Sequence, residues 1–158
     1  MNMKLIGALA AIALLGACQS GDENAAASGA GSAATTSGPR PGSQEDLVAN
    51  VGDRVFFDFD RSNIRADQRP VLERQASWFG QYPQVQATIE GHTDERGTRE
   101  YNLALGQRRA NAARDVLVAG GVAPARLSTI SYGKDRPAAL GSNEEAWAQN
   151  RRAVTVVR

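Results

Sequence analysis

Thiols and imidazoles are almost missing from this chain of 158 residues, which holds one cysteine, Cys18, and one histidine, His92. An internal disulfide is therefore excluded, and so is a metal centre built from several Cys or His ligands. An excess of one charge is missing too. The 17 acidic residues stand against 18 basic ones, and Lys4 is the only base before position 18, so the remainder is formally neutral. A nucleic-acid binder needs a net basic face to neutralise phosphates, so no nucleic-acid partner is expected. Lysine is scarce. Only Lys4 and Lys134 occur, and every other base is arginine, the residue suited to planar, bidentate capture of carboxylates. No apolar run approaches the ~20 residues that a membrane-crossing helix needs.

What is present divides the chain into three. Lys4 and the apolar run over residues 5–15 have the basic and hydrophobic regions of a signal peptide. The run ends Leu15-Gly16-Ala17-Cys18, which resembles the bacterial lipobox, whose cysteine is acylated and becomes the first mature residue. Residues 1–17 are thus expected to be a lipoprotein signal peptide and Cys18 the lipidation site. Several acyl chains give stable membrane attachment, whereas one is marginal. Gln19 and Ser20 follow the cysteine, with no Asp, and the same resemblance then implies the outer membrane. The stretch to residue 45 is dominated by Ala, Gly, Ser and Thr with no apolar period. It cannot offset its ordering entropy by burial, so 18–45 is expected to be an acylated cysteine and a disordered linker. Such a coil spans roughly 30 Å, or roughly 90 Å fully extended. It would present the domain to a layer beside the membrane at high effective concentration.

Residues 46–158 read as one globular domain, large enough for a core without staples. Ser43 with Asp46 is a weak capping signal for a short helix through Asn50. Residues 54–59 are aromatic and β-branched, a strand with Val55, Phe57 and Phe59 on one face. Asp67 is the expected N-cap of a second helix, with Pro70 in its first turn and Gly80 near its end. Residues 85–89 alternate as a half-buried strand. A helix is expected over 99–119 with Gly120-Gly121 as its C-cap, then strands at 127–132 and 154–157 and a short helix at 144–150. The order βαβαβ(α)β predicts an α/β fold, more closely an α+β sandwich. Its helices pack on one face of a mixed four-stranded sheet.

Two features of this domain point to chemistry. Arg109 lies at the edge of the apolar face of the long helix, where an unpaired guanidinium is expensive. The loop before that helix, Glu90-Gly91-His92-Thr93-Asp94-Glu95-Arg96-Gly97, leaves a strand end, where open sheets often bind ligands. Asp94 is the natural carboxylate to face Arg109, either as an internal ion pair that fixes the loop or as half of a binding site. Asp60 follows the first strand. It reads equally as the start of a turn with Ser62 and Asn63.

The segments 55–60, 89–98, 100–102, 105–112, 131–134 and 150–154 closely resemble the peptidoglycan-associated lipoproteins of the Tol–Pal system. These belong to the wider family that shares the C-terminal domain of outer-membrane protein A. The resemblance covers nearly all of 46–158. It implies binding of meso-diaminopimelate on the peptidoglycan stem, with Asp94 and Arg109 as the core pair and Phe59, Asp60, Arg96 and Leu105 lining the pocket. Thr93 and Arg99 depart from the alanine and proline usual in close relatives. The implied partners are peptidoglycan, TolB (the periplasmic propeller protein of the Tol system) and, through the lipid anchor, the outer membrane. The implied role is to tie outer membrane to wall during envelope constriction.

The free end of diaminopimelate carries an ammonium and a carboxylate on one carbon. Asp94 can take the first, and Arg109 can take the second bidentately. A cross-link consumes the amine, so uncross-linked stems are the expected ligand. No enzyme is expected. A zinc amidase needs about three protein ligands, and His92, Asp94 and Glu95 form the only cluster with an imidazole. Asp60 and Asp94 would make a poor glycosidase pair, because nearby arginines disfavour a protonated general acid. No metal or other cofactor is expected. A pure protein-interaction module is the remaining alternative, along with a wall-binding lipoprotein outside the Tol system.

Overall fold

The computed structural model describes residues 38–158. The expected signal peptide, Cys18 and most of the expected linker lie outside the described residues. The last residues assigned to the linker belong to the domain instead. Ser43 caps helix α1 (Gln44–Asn50), its hydroxyl accepting from the Asp46 amide at 3.3 Å. Asp46 is buried and accepts from the Gly42 amide, Asn50 Nδ2 and Trp78 Nε1, which ties the start of the domain to α2 (Arg69–Gln81).

The remaining elements are β1 (Arg54–Phe56), β2 (Ala87–His92), α3 (Arg99–Ala119), β3 (Leu127–Gly133), α4 (Glu144–Asn150) and β4 (Arg152–Val157). The sheet has the order β1-β4-β2-β3. β4 pairs antiparallel with both β1 and β2, while β2 and β3 run parallel with α3 as their crossover. The sheet is therefore mixed, as the element order predicts. α2 and α3 pack on one face of it. Leu72 and Phe79 of α2 and Ala110 and Leu117 of α3 meet Val55, Ile89 and Ala153 of the sheet in one core. Among the described residues, no helix is long and apolar enough to cross a membrane.

Two local expectations fail. β1 stops at Phe56, and Phe59 is not on the inner face but 56% exposed. The ladder ends there because its partner β4 begins at Arg152, opposite Phe56. The Arg151 amide closes α4 on Trp147 O, and side chains take the next carbonyls, Arg151 Nε that of Phe57 and Arg109 Nη2 that of Asp58, each at 3.0 Å. Asp60 then adopts φ 54° and turns the chain. Nor does Asp67 cap α2. Its carboxylate is taken by the Arg65 fork, at 2.9 Å on each oxygen, and Gln68 occupies the cap with no side-chain bond.

One close approach sets the register of the site. A Cβ on Gly91 would lie 1.8 Å from Gly106 O, and one on Gly106 would lie 2.3 Å from Ser131 Oγ. Only a pair of glycines lets the α3 backbone rest against the end of β2. That contact places Arg109, one turn further along α3, beneath the loop that leaves the strand.

Candidate functional site

The loop between β2 and α3 is fixed from three sides. The Thr93 amide donates to Gly133 O, and Thr93 Oγ1 to Asp94 O at 3.1 Å. Asn102 Nδ2 donates to Arg96 O and Thr98 O, and Lys134 Nζ to Glu95 O and Gly97 O. Thr98 caps α3 through the Tyr101 amide. The departure at Arg99 is accommodated on the surface, where Arg99 pairs with Asp135 at 2.8 Å.

This frame encloses a cavity of about 180 Å³, and all six ligand residues expected from the sequence line it: Phe59, Asp60, Asp94, Arg96, Leu105 and Arg109. Gly97, Tyr101 and Asn102 complete the lining. The hydroxyl of Tyr101 donates to the carboxylate of Asp60.

Arg109 is fully buried, yet it forms no ion pair with Asp94 among the described residues. Its guanidinium donates to three backbone carbonyls instead: Nε to Arg61 O at 2.8 Å, Nη1 to His92 O at 2.9 Å and Nη2 to Asp58 O at 3.0 Å. A guanidinium has five N–H donors, so two remain to offer an anion. Burial pulls its pKa down to about 10, against the opposing charge of Asp94, and it stays cationic at neutral pH.

Asp94 is satisfied by other arginines. Arg96 Nη2 lies 2.6 Å from Oδ2 and Arg151 Nη1 3.4 Å from it, while the Arg96 amide and Nε each donate to Oδ1 at 3.2 Å. Burial opposes ionisation of Asp94, but the Arg96 hydrogen bonds outweigh it and hold the carboxyl below its usual range. The sequence reading missed Arg151, which reaches Asp94, and Trp147, whose ring centroid lies 4.0 Å from Arg96 Cζ. Arg151 is buried and also donates to Glu144 Oε1 at 2.5 Å. Its signal was an arginine pair standing directly before an apolar strand, inside the segment 150–154 that carries part of the resemblance.

His92 supplies a backbone carbonyl to Arg109, but its ring is apart from the cavity. It is 2% exposed, and neither ring nitrogen has a hydrogen-bond partner. Glu90 Oε2 stands 3.5 Å from Nε2, and the Tyr132 ring lies 5.6 Å away. Burial first, then the charges of Arg152 and Arg136, depress its pKa from 6.5 to about 4. The unfolded chain therefore binds this proton more readily than the folded one. Stability from this group is full above pH 6.5 and is lost as pH falls toward 4. The expected loss at pH 4.5 is about 2–3 kcal/mol. Urea unfolding at pH 7 and 4.5 should show it in the native protein and not in His92→Phe. An equal pH dependence in both would contradict it.

A family model described as the OmpA family matches residues 56–151. A peptidoglycan-associated lipoprotein of Mesorhizobium japonicum is 52% identical over 160 residues, spanning 99% of this chain and 92% of the relative. Among solved structures, the crystal structure of the peptidoglycan-associated lipoprotein from Burkholderia pseudomallei is similar, with a TM-score of 0.67 and 42% identity. The match covers 72% of this chain and all of that one. The C-terminal domain of Helicobacter pylori MotB is also similar, with a TM-score of 0.61 and 28% identity over 66% of this chain and 83% of its own.

Proposed function

The chain belongs to the OmpA family, and we propose that its domain binds peptidoglycan through the free end of a meso-diaminopimelate stem residue without cleaving it. The observation that carries this reading is Arg109 at the floor of a closed-frame cavity, with two spare N–H groups, beside the carboxylate of Asp94. A zwitterion needs an acid and a base in one pocket. Here the base is pre-oriented by three carbonyls, so little order is lost on binding. Arg109 takes the ligand carboxylate, and Asp94 the ammonium. Phe59, Asp60, Arg96 and Leu105 form the walls.

The names of the similar lipoproteins and the lipobox-like Leu15-Gly16-Ala17-Cys18 support an acylated Cys18, an outer-membrane anchor and a domain facing the periplasm. Within that setting the proposed role is to tether outer membrane to wall as part of the Tol–Pal system during cell division. TolB is the proposed protein partner. Phe59 and Tyr101 support a partner near the same face, because they stand 56% and 46% exposed at the mouth of the cavity.

The test is co-sedimentation of the full-length chain, held in detergent, with purified sacculi. Sacculi containing diaminopimelate should pellet it, and sacculi built with lysine should leave it in solution. Equal recovery from both would overturn the proposed ligand. Release of soluble wall fragments would overturn binding without cleavage.

A further inference from the structure

The carboxylate of Asp94 is fully engaged by donors of the protein itself. A carboxylate offers about four lone-pair positions. Here Oδ1 accepts from the Arg96 amide and Arg96 Nε, and Oδ2 from Arg96 Nη2 and Arg151 Nη1. A ligand ammonium that bonds Asp94 must therefore displace one of these donors. The amide is part of the fixed loop. Arg151 has its side chain 8% exposed and is braced by Phe57 O and Glu144. The Arg96 side chain is 31% exposed and has no such brace. It is held by stacking, with its Cζ 3.9 Å from the Phe59 ring centroid and 4.0 Å from that of Trp147. Trp147 stands on α4, oriented by its own bond from Nε1 to Glu95 Oε1 at 3.0 Å.

We infer that Trp147 is a positioning residue that sets ligand affinity by fixing how firmly Arg96, an internal cation, occupies Asp94 against the incoming ammonium. The inference rests on the binding reading above. It adds that Asp94 is already engaged by the protein's own cations, and that α4 controls the exchange. The ligand gains Asp94 only by releasing Arg96 from it, and the two rings oppose that release. Weakening the stack should destabilise the empty protein and strengthen binding at the same time. A residue that merely supports the fold would move both in the same direction.

The experiment titrates the full-length chain with a muropeptide ending in meso-diaminopimelate, by calorimetry, and records the melting temperature of the empty protein. Trp147→Ala should bind roughly three- to thirtyfold more tightly, the range spanned by one cation–π contact, and should melt lower. Trp147→Phe keeps a ring over Arg96 and should bind within a few-fold of the native protein. In the native protein, saturation should change the tryptophan emission through Trp147, and Trp147→Phe, which retains only Trp78, should show no change. Equal or weaker binding by Trp147→Ala overturns the inference. If that variant does not fold, native emission that is unchanged at saturation overturns it instead. Failure of the native chain to bind overturns the binding reading, and the inference falls with it.

Discussion

Arg109→Ala should abolish binding of the diaminopimelate end and also lower the unfolding free energy by about 5 kcal/mol. Both effects come from one guanidinium: its two spare N–H groups hold the ligand carboxylate, and its other three hold the fold. Removing the guanidinium strands the buried carbonyl of His92 and unpairs the part-buried carbonyls of Asp58 and Arg61. The stranded His92 acceptor costs about 1–3 kcal/mol, the two part-buried ones less, and the volume emptied by a fully buried side chain adds a cavity. Arg109→Lys should recover part of the stability, since an ammonium can reach some of these carbonyls. It should not recover the bidentate contact with a carboxylate. Urea unfolding and calorimetry on the same preparations would separate the effects. A variant that loses binding at native stability would show that the carbonyl contacts carry little of the fold.

Asp94→Asn should behave differently. The amide keeps the size of the side chain and can still accept from the Arg96 amide, so the loop should persist with a loss of about 1–2 kcal/mol. Binding should weaken by about 2–5 kcal/mol, roughly thirty- to several-thousand-fold, because the ligand ammonium loses its counter-charge in a desolvated site. The contrast between a folded Asp94→Asn and a destabilised Arg109→Ala separates the two halves of the clamp. Arg109 holds three backbone carbonyls besides the ligand, whereas Asp94 holds Arg96 and Arg151, a role that the isosteric amide keeps in part. Native-like binding by a folded Asp94→Asn would remove Asp94 from the site.

The sequence made the helices legible where chemistry marks their ends. Gly120 closes α3, and Ser43 caps α1 through the Asp46 amide. It also marked Arg109, because a guanidinium on an apolar face needs an explanation. It did not reveal the partners. The carbonyls that hold Arg109 belong to residues 17, 48 and 51 positions away, and a backbone oxygen leaves no trace in a side-chain pattern. The same long range hid Arg151 and Trp147, which reach Asp94 and Glu95 across 57 and 52 positions. Strand alternation misplaced Phe59 because periodicity cannot register where the partner strand begins, here at Arg152 opposite Phe56. Asp67 failed as a cap because a neighbouring guanidinium competes better for a carboxylate than a backbone amide does.

The central claim is that a zwitterion, and neither charge alone, is what the cavity reads. Calorimetric titration of the full-length chain with three forms of one muropeptide tests it most directly: the free diaminopimelate end, the same end acetylated on its amine, and the same end amidated on its carboxylate. The free form should bind, and each modified form should bind at least roughly thirtyfold more weakly. Equal affinity for all three would contradict the account and leave Asp94 and Arg109 as structural residues.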